Sequence, residues 1–266
     1  MCIRDRCDSV RTRTKVILTG EGADEIFGGY SRYSIWRDLI KYRAFARLVP
    51  TSIWPLLKRY RSLQIYSKHD PAVYASVYTD YLDLMNIFPD LVPAPGAREA
   101  ACSRFKDFRD RMFAVDQTAY LESLLLRQDK MAMAASVEAR VPFVHKPLVK
   151  HANGLPNHIR VPGGITKPVL KAVAERYFPN DFVNRKKVGL TLPLAEWLSD
   201  EKGLGRYLET LTEPNAKLVS YGNRKDLKKM IELFRQGDQR FGRVLVHCIN
   251  MELWLRDVSK PLNMPT

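Results

Sequence analysis

Glu21 and Asp24 lie three residues apart in Thr19-Gly20-Glu21-Gly22-Ala23-Asp24-Glu25, directly after the apolar run Val16-Ile17-Leu18. Carboxylates in that setting suit a hard dication such as Mg2+, which keeps several waters and binds through one or two protein carboxylates plus substrate phosphates. Asp24, in what reads as a first helical turn, is placed for the metal. Glu21, on the loop, is placed to reach a reacting carboxyl group. Gly20 and Gly22 bring no Cβ, so backbone N–H groups there can approach a phosphate or nucleotide closely. A purely structural role competes with this one, because acids at a helix N-terminus are stabilised by about 0.3–1 kcal/mol each by the macrodipole.

A second constellation is Gly163-Gly164-Ile165-Thr166-Lys167-Pro168-Val169-Leu170-Lys171. Thr166 reads as an N-cap and Pro168 as a first-turn residue, whose missing N–H costs nothing there. A lysine at the positive end of a helix is unfavourable unless an anion is near. A helix start plus a lysine therefore makes Lys167 the pyrophosphate-binding candidate. Two further segments are less specific. In Leu126–Phe143 the alternating Met and Ala residues read as tight helix packing. Asp129 and Arg140 there make either a buried ion pair or a substrate contact, with the pair favoured because buried charges are usually matched. Arg185-Lys186-Lys187 before Val188 and Gly189 could clamp phosphate oxygens or form a solvated charged face.

These residues need elements to hold them. Val16 to Thr19 reads as a short buried strand ended by Gly20, which puts the acids at a strand's carboxyl end, where α/β sheets bind ligands. From Asp24 onward the pattern is almost wholly helical. Helices are expected over Ser31–Leu48 and Ser52–Tyr60, then from Asp70-Pro71, and over Arg98–Met112 and Asp116–Ala135. Proline after Val141 breaks the pattern near Ala139–Phe143. Helices follow over Pro147–Leu155 and Thr166–Tyr177, and two amphipathic ones close the chain near Lys225–Gln236 and Arg240–Asp257. One strand or two beside a large helical body implies an α/β, helix-dominated fold with few parallel strands.

The 266 residues are enough for a sizeable core, and no apolar run approaches the ~18 residues of a membrane span. Cys2, Cys7, Cys102 and Cys248 show no metal-ligand spacing and fit a reducing cytoplasm better than a disulfide framework. The formal net charge of +14 raises the question of nucleic acid. The basic residues are spread along the chain without a recognised nucleic-acid module, so nucleic acid is not the expected partner. Residues 1–14 have no apolar core of a signal peptide and read as a non-native or disordered segment, leaving 15–266 as the functional domain.

The combination Gly-Glu-Gly-Ala-Asp-Glu (20–25), Ser-Val-Glu-Ala-Arg-Val-Pro-Phe (136–143), Thr-Lys-Pro-Val-Leu-Lys (166–171) and Arg-Lys-Lys-Val-Gly (185–189) resembles the synthetase domain of glutamine-hydrolysing asparagine synthetases. The resemblance runs from about Lys15 to Leu198. It implies a partial ATP-pyrophosphatase domain of the adenine-nucleotide alpha-hydrolase type, with ATP and Mg2+ as cofactors. It also implies a reaction in which aspartate is activated as β-aspartyl-AMP and then meets glutamine-derived ammonia. By position, it gives Glu21 a part in forming or using the acyl-adenylate. Asp24 becomes a magnesium–pyrophosphate ligand, Thr19 and Gly20 nucleotide contacts beside the Gly22 read above as a cofactor-binding residue, and Lys167 the pyrophosphate lysine.

The sequence departs from that family in places. The family's Ser-Gly-Gly-x-Asp-Ser loop and its cysteine-led glutaminase domain are not in these residues, and His145-Lys146 stands where an aspartate is common. The chain is therefore expected to be a fragment with little activity alone, completed by a missing N-terminal glutaminase domain and compatible with a homodimer. Other carboxylates (a sugar acid, a peptide side chain, a β-lactam precursor) remain open as substrates, as does a non-catalytic basic binding module.

Overall fold

The computed structural model describes residues 3–34, 36–50, 52–53, 70–74, 84, 87–88, 96–163, 165–185 and 192–258. Two compact units make up the chain, Met1–Ser76 with Pro95–Lys186 and Val77–Ala94 with Lys187–Thr266. Among the described residues no helix is long and apolar enough to cross a membrane.

The first unit opens with α1 (Ile3–Val10), strand β1 (Val16–Leu18), α2 (Ala23–Phe27), α3 (Ser31–Ser34) and α4 (Trp36–Leu48). It continues through α5 (Pro71–Tyr74), α6 (Ala97–Ser103) and α7 (Phe108–Val115) into a π-helical turn, Asp116–Tyr120, and α8 (Leu121–Met133). Strand β2 (Glu138–Arg140), a 3-10 turn (Pro142–Val144), α9 (Lys146–Asn153), α10 (Asn157–Arg160), α11 (Pro168–Ala174) and α12 (Asn180–Val183) complete it. β1 and β2 pair in parallel with Val16 opposite Glu138, Ile17 opposite Ala139 and Leu18 opposite Arg140. The chain is thus α/β and helix-dominated, with a small parallel sheet.

One face of that sheet carries Ile17 and Ala139, packed on Cys7, Ala132, Ala135 and Val137 from α1 and the end of α8. The segment set apart in sequence, residues 1–14, thereby contributes a helix whose Cys7 is buried. Ala132 and Ala135 of the Met/Ala run do the packing, whereas Met131, Met133 and Ala134 are exposed. β1 differs from the buried strand expected: Val16 is 44% exposed and Leu18 75%. Alternation decides this, since successive side chains point to opposite faces and helices cover only one face among the described residues.

The long helices expected after residue 97 are also interrupted. Asp107 ends the first by accepting the Arg109 N–H at 2.8 Å, a local cap that starts α7 afresh. The second begins as the π turn at 116–120. Ser31–Leu48 is realised as α3 and α4, on either side of residue 35. At Asp70 the expected start holds, with the Ala72 N–H donating to Asp70 Oδ1 at 2.9 Å. Most of the Ser52–Tyr60 helix, and residues 186–190 of the basic run, lie outside the described residues.

The second unit carries α13 (Leu194–Ser199), α14 (Arg224–Arg235) and α15 (Gly242–Val258). Leu227, Ile231 and Phe234 of α14 and Val244, Leu245 and Ile249 of α15 share one core with Leu198 and Leu211. Glu252 is fully buried beside that core and accepts the Lys217 and Leu218 N–H groups at 3.1 and 2.7 Å, with Arg256 donating as well. Burial alone would raise its pKa, but the Arg256 hydrogen bond and the two backbone N–H groups outweigh that and hold the carboxyl below its ordinary range. A depressed pKa adds stability above the unfolded value, about 4.3, and that stability is lost as pH falls through the folded value. Acid titration of unfolding should therefore show destabilisation beginning below about pH 4.3, with a shallower pH slope in Glu252→Gln. Glu252→Ala should cost roughly 1–3 kcal/mol for each N–H left without an acceptor. An unchanged slope in Glu252→Gln would contradict the assignment.

Candidate functional site

The ladder runs one residue past β1, the Thr19 N–H donating to Arg140 O at 2.9 Å. The Thr19 hydroxyl is buried and has no hydrogen-bond partner among the described residues. Beyond it the chain turns through Gly20 and Glu21 to Gly22, the residue before α2. Gly22 has φ +89°, a left-handed conformation that a side chain strains, and a Cβ there would lie 2.6 Å from Val144 Cγ2. Gly20 is different, since a Cβ there would meet no heavy atom within 4 Å. Glu21 is half-buried and has no hydrogen-bond or ion-pair partner among the described residues.

α2 is only five residues long, too short to persist alone. Packing holds it. Ile26 and Phe27 are buried against Ala152, Leu148 and Val149 of α9, Phe143 and Val144 of the 3-10 turn, and Val169 and Leu170 of α11. Burying two such side chains contributes roughly 3–6 kcal/mol. That packing sets α11 beside α2, and Lys167 Nζ reaches Asp24 Oδ1 at 2.9 Å. The Lys167 N–H also donates to Gly28 O at 3.1 Å.

Lys167 itself has φ +52°, a left-handed conformation costly for a residue with a Cβ. It, and not Thr166, is the N-cap of α11, so the expected helix start moves by one residue. α11 is seven residues long and makes no hydrogen bond to the cap side chain.

Gly29 closes the arrangement from the other side. Its N–H donates to Asp24 O at 2.8 Å, and a Cβ there would fall 1.7 Å from Asp24 Oδ1. Gly29→Ala should push the Asp24 carboxylate off Lys167 and cost about 1–3 kcal/mol of overpacking. Gly20→Ala, placed in open space, should stay within about 0.5 kcal/mol of the parent. Urea unfolding of both variants checks the pair, and equal stabilities would refute the geometry.

The structure thus brings Asp24 and Lys167 together, and keeps Thr19, Gly20, Glu21 and Gly22 on the loop that leads to them. It does not bring Asp129 to Arg140: Asp129 is exposed, and Arg140 pairs with Glu138 at 2.7 Å on the open face of the sheet. Sequence proximity along the strand favours that neighbour. Arg185 stacks over Phe182, 4.7 Å from the ring centroid. A concavity of about 580 Å³ lined by Arg11, Arg13 and Lys15 lies at the opposite end of β1 from the acids.

A polar network with no local sequence signature supports the site. The π turn aims Asp116 at Arg32 (2.7 Å) and at the Tyr33 hydroxyl, which donates to it, and Gln117 Nε2 at Glu25 O (3.2 Å). Tyr30 donates to the buried Glu25 carboxylate, and the Arg32 guanidinium lies 4.0 Å from the Tyr30 ring centroid. Burial pushes the Glu25 carboxyl above its ordinary range, against the Tyr30 hydrogen bond, and the neighbouring Asp24 and Asp116 add to the rise. The Gly28-Gly29-Tyr30 sequence was the one available hint that chain geometry is tight here.

Among the described residues no three His, Cys, Asp or Glu side chains gather as a metal cage. The donor set is one carboxylate, Asp24, with Glu21 on the adjoining loop. Such a set fits Mg2+ carried chiefly by phosphate oxygens and water, not by protein alone. The orphaned Thr19 hydroxyl and the open space at Gly20 fit a nucleotide against the loop.

A glycine loop bearing acids at the carboxyl end of a parallel strand marks an α/β protein, and strand ends of that kind are where open α/β sheets bind ligands. Comparison with known proteins specifies which. The family model described as asparagine synthase matches residues 3–256, and the chain belongs to that family. The glutamine-hydrolysing asparagine synthetase 1 of Bacillus subtilis strain 168 is 29% identical over 70% of this chain and 32% of its own length. A putative glutamine-hydrolysing asparagine synthetase of Mycobacterium tuberculosis H37Rv is 29% identical over 71% of the chain and 31% of its own length. Asparagine synthetase 3 of the same Bacillus strain is 26% identical over 85% and 34%. The chain spans about a third of the length of the curated relatives it matches.

Proposed function

We propose that this chain is the carboxylate-activating part of a longer ATP-dependent amide ligase, most directly one that makes asparagine from aspartate. The observation that carries the reading is the Asp24–Lys167 pair at the end of the acid loop, two groups of the kind a polyphosphate leaving group needs. Family membership supports ligase chemistry of this class. In the proposed sequence the aspartate side-chain carboxylate attacks the α-phosphorus of ATP and pyrophosphate leaves. Ammonia derived from glutamine then displaces AMP from the β-aspartyl adenylate, giving the amide and releasing a proton.

Each residue has a part. Thr19, Gly20 and Gly22 line the nucleotide side of the loop. Lys167 neutralises charge that develops on the departing pyrophosphate, and such placed charge in a partly dry site lowers a barrier by several kcal/mol at most, about 3–4 for one good donor. Asp24 would hold Mg2+, which when bound screens the phosphate oxygens. Glu21, on the loop and without a partner among the described residues, acts on the reacting carboxyl group or on the ammonia that attacks it. The missing share of the phosphate cradle and the glutaminase would come from the rest of the enzyme.

The test is carboxylate-dependent exchange of labelled pyrophosphate into ATP, run on the longer enzyme carrying this chain. Exchange with aspartate supports the reading in full. Exchange only with a sugar acid, a peptide or a β-amino acid replaces aspartate and keeps the chemistry. Exchange with no carboxylate overturns it in favour of a binding role.

A further inference from the structure

The Lys167 N–H is bonded to the Gly28 carbonyl just after α2, and α2 is in turn held by a residue distant in sequence from the acids, Arg160. A helix leaves its last carbonyls without intrahelical partners. In α2 two of these find side chains: Gln117 Nε2 donates to Glu25 O at 3.2 Å, and Arg160 Nε donates to Ile26 O at 3.0 Å. Arg160 Nη2 donates to Asn153 Oδ1 at 2.7 Å. Asn153 and Gln117 are themselves joined by reciprocal amide bonds of 3.1 and 3.0 Å.

Arg160 is 2% exposed, and no carboxylate forms an ion pair with it among the described residues. Its guanidinium lies 3.3 Å from the Phe113 ring centroid, and burial brings its pKa down to about 10. Asp110 attracts it from beyond ion-pair distance, but a buried cation with no carboxylate in contact is costly, so packing alone is a poor account of its presence. A cation at the negative end of α2, with a planar fork that reaches a helix carbonyl and an amide together, is a better one. The backbone after Arg160 also lies against the turn, since a Cβ on Gly28 would meet Val161 Cγ1 at 2.6 Å.

We infer that Arg160 is a positioning residue for Lys167: by capping the carboxyl end of α2 it fixes the Gly28 carbonyl and the Asp24 carboxylate that hold the lysine. The consequence for ligand binding rests on the reading of Lys167 as the pyrophosphate lysine. The local consequence does not.

The experiment uses the 266-residue chain and reads amide hydrogen exchange of Lys167, whose N–H is bonded to Gly28 O, beside pyrophosphate binding by calorimetry with Mg2+ present. Arg160→Lys keeps the charge and loses the fork. It should speed Lys167 exchange at least tenfold while the α15 amides of Leu245 and Ile249 keep their protection. Asn153→Ala, at an exposed position, releases the Nη2 contact together with the two amide bonds to Gln117, leaves Arg160 Nε on Ile26 O, and should speed it severalfold without threatening the fold. Unchanged Lys167 exchange in both variants overturns the inference. In calorimetry, Arg160→Lys should weaken pyrophosphate binding in the parent chain and add nothing on a Lys167→Ala background, the signature of one residue acting through another. Equal weakening on both backgrounds also overturns it. Absence of pyrophosphate binding by the parent chain would count against the reading of Lys167 instead, leaving exchange to decide Arg160.

Discussion

Lys167→Ala is expected to lower carboxylate-dependent ATP–pyrophosphate exchange by about 10²–10³-fold, the loss typical of one well-placed donor to a developing anion. The geometry predicts more than lost charge. Lys167 occupies a left-handed backbone conformation that alanine finds as strained as lysine does, whereas glycine adopts it freely. Removing the side chain also removes the 2.9 Å contact to Asp24, a pair about a quarter to a third exposed and worth at most about 1 kcal/mol. Lys167→Gly should therefore be as inactive as Lys167→Ala yet more stable than it by about 1 kcal/mol. Exchange kinetics and urea unfolding on the three proteins separate the two effects. Near-parental exchange in either variant would remove Lys167 from the site, and equal stability of the two would remove the strain argument.

Glu21→Gln is expected to reduce amide formation by about 10²–10⁴-fold, the range for a group that moves or stabilises a proton in the transition state. Glutamine keeps the size and the hydrogen-bonding oxygen and loses the charge. Glu21 has no partner among the described residues, so the substitution breaks no internal ion pair and the fold should be unaffected. ATP binding measured by equilibrium dialysis should stay within about threefold, because a contact made only in the transition state leaves ground-state binding alone. Retained amide synthesis would exclude Glu21 from the chemistry. Lost ATP binding would instead make it a ground-state nucleotide contact.

The local geometry of the acid loop was legible because it depends on neighbours in the chain. An apolar run stopped by Gly20 predicts a strand end, Gly22 supplies the positive φ, and α2 begins at Ala23, one residue before Asp24. The two C-terminal amphipathic helices were legible for the same reason, with apolar residues recurring at helical spacing on a buried face. Burial of β1 was not legible. Val16 and Leu18 are as apolar as any core strand, and only the placement of helices on the Ile17 side leaves them exposed. The π turn was hidden too. One residue inserted in a continuous helical pattern changes no periodicity that a sequence window can detect, yet it directs Asp116, Gln117 and Tyr120 toward α2 and α3.

By itself the sequence determined the residue types that the chemistry needs, an acid loop at a strand end and a lysine beside a helix start, because short-range backbone preference sets such motifs. Tertiary structure alone decided that Asp24 and Lys167 meet, and that Arg160, in a chain of net charge +14, is the buried Lys or Arg among the described residues, set against the end of α2. Contacts between residues distant in sequence come from the packing of Ile26 and Phe27 against α9 and α11, and no local spacing encodes where such surfaces come to rest.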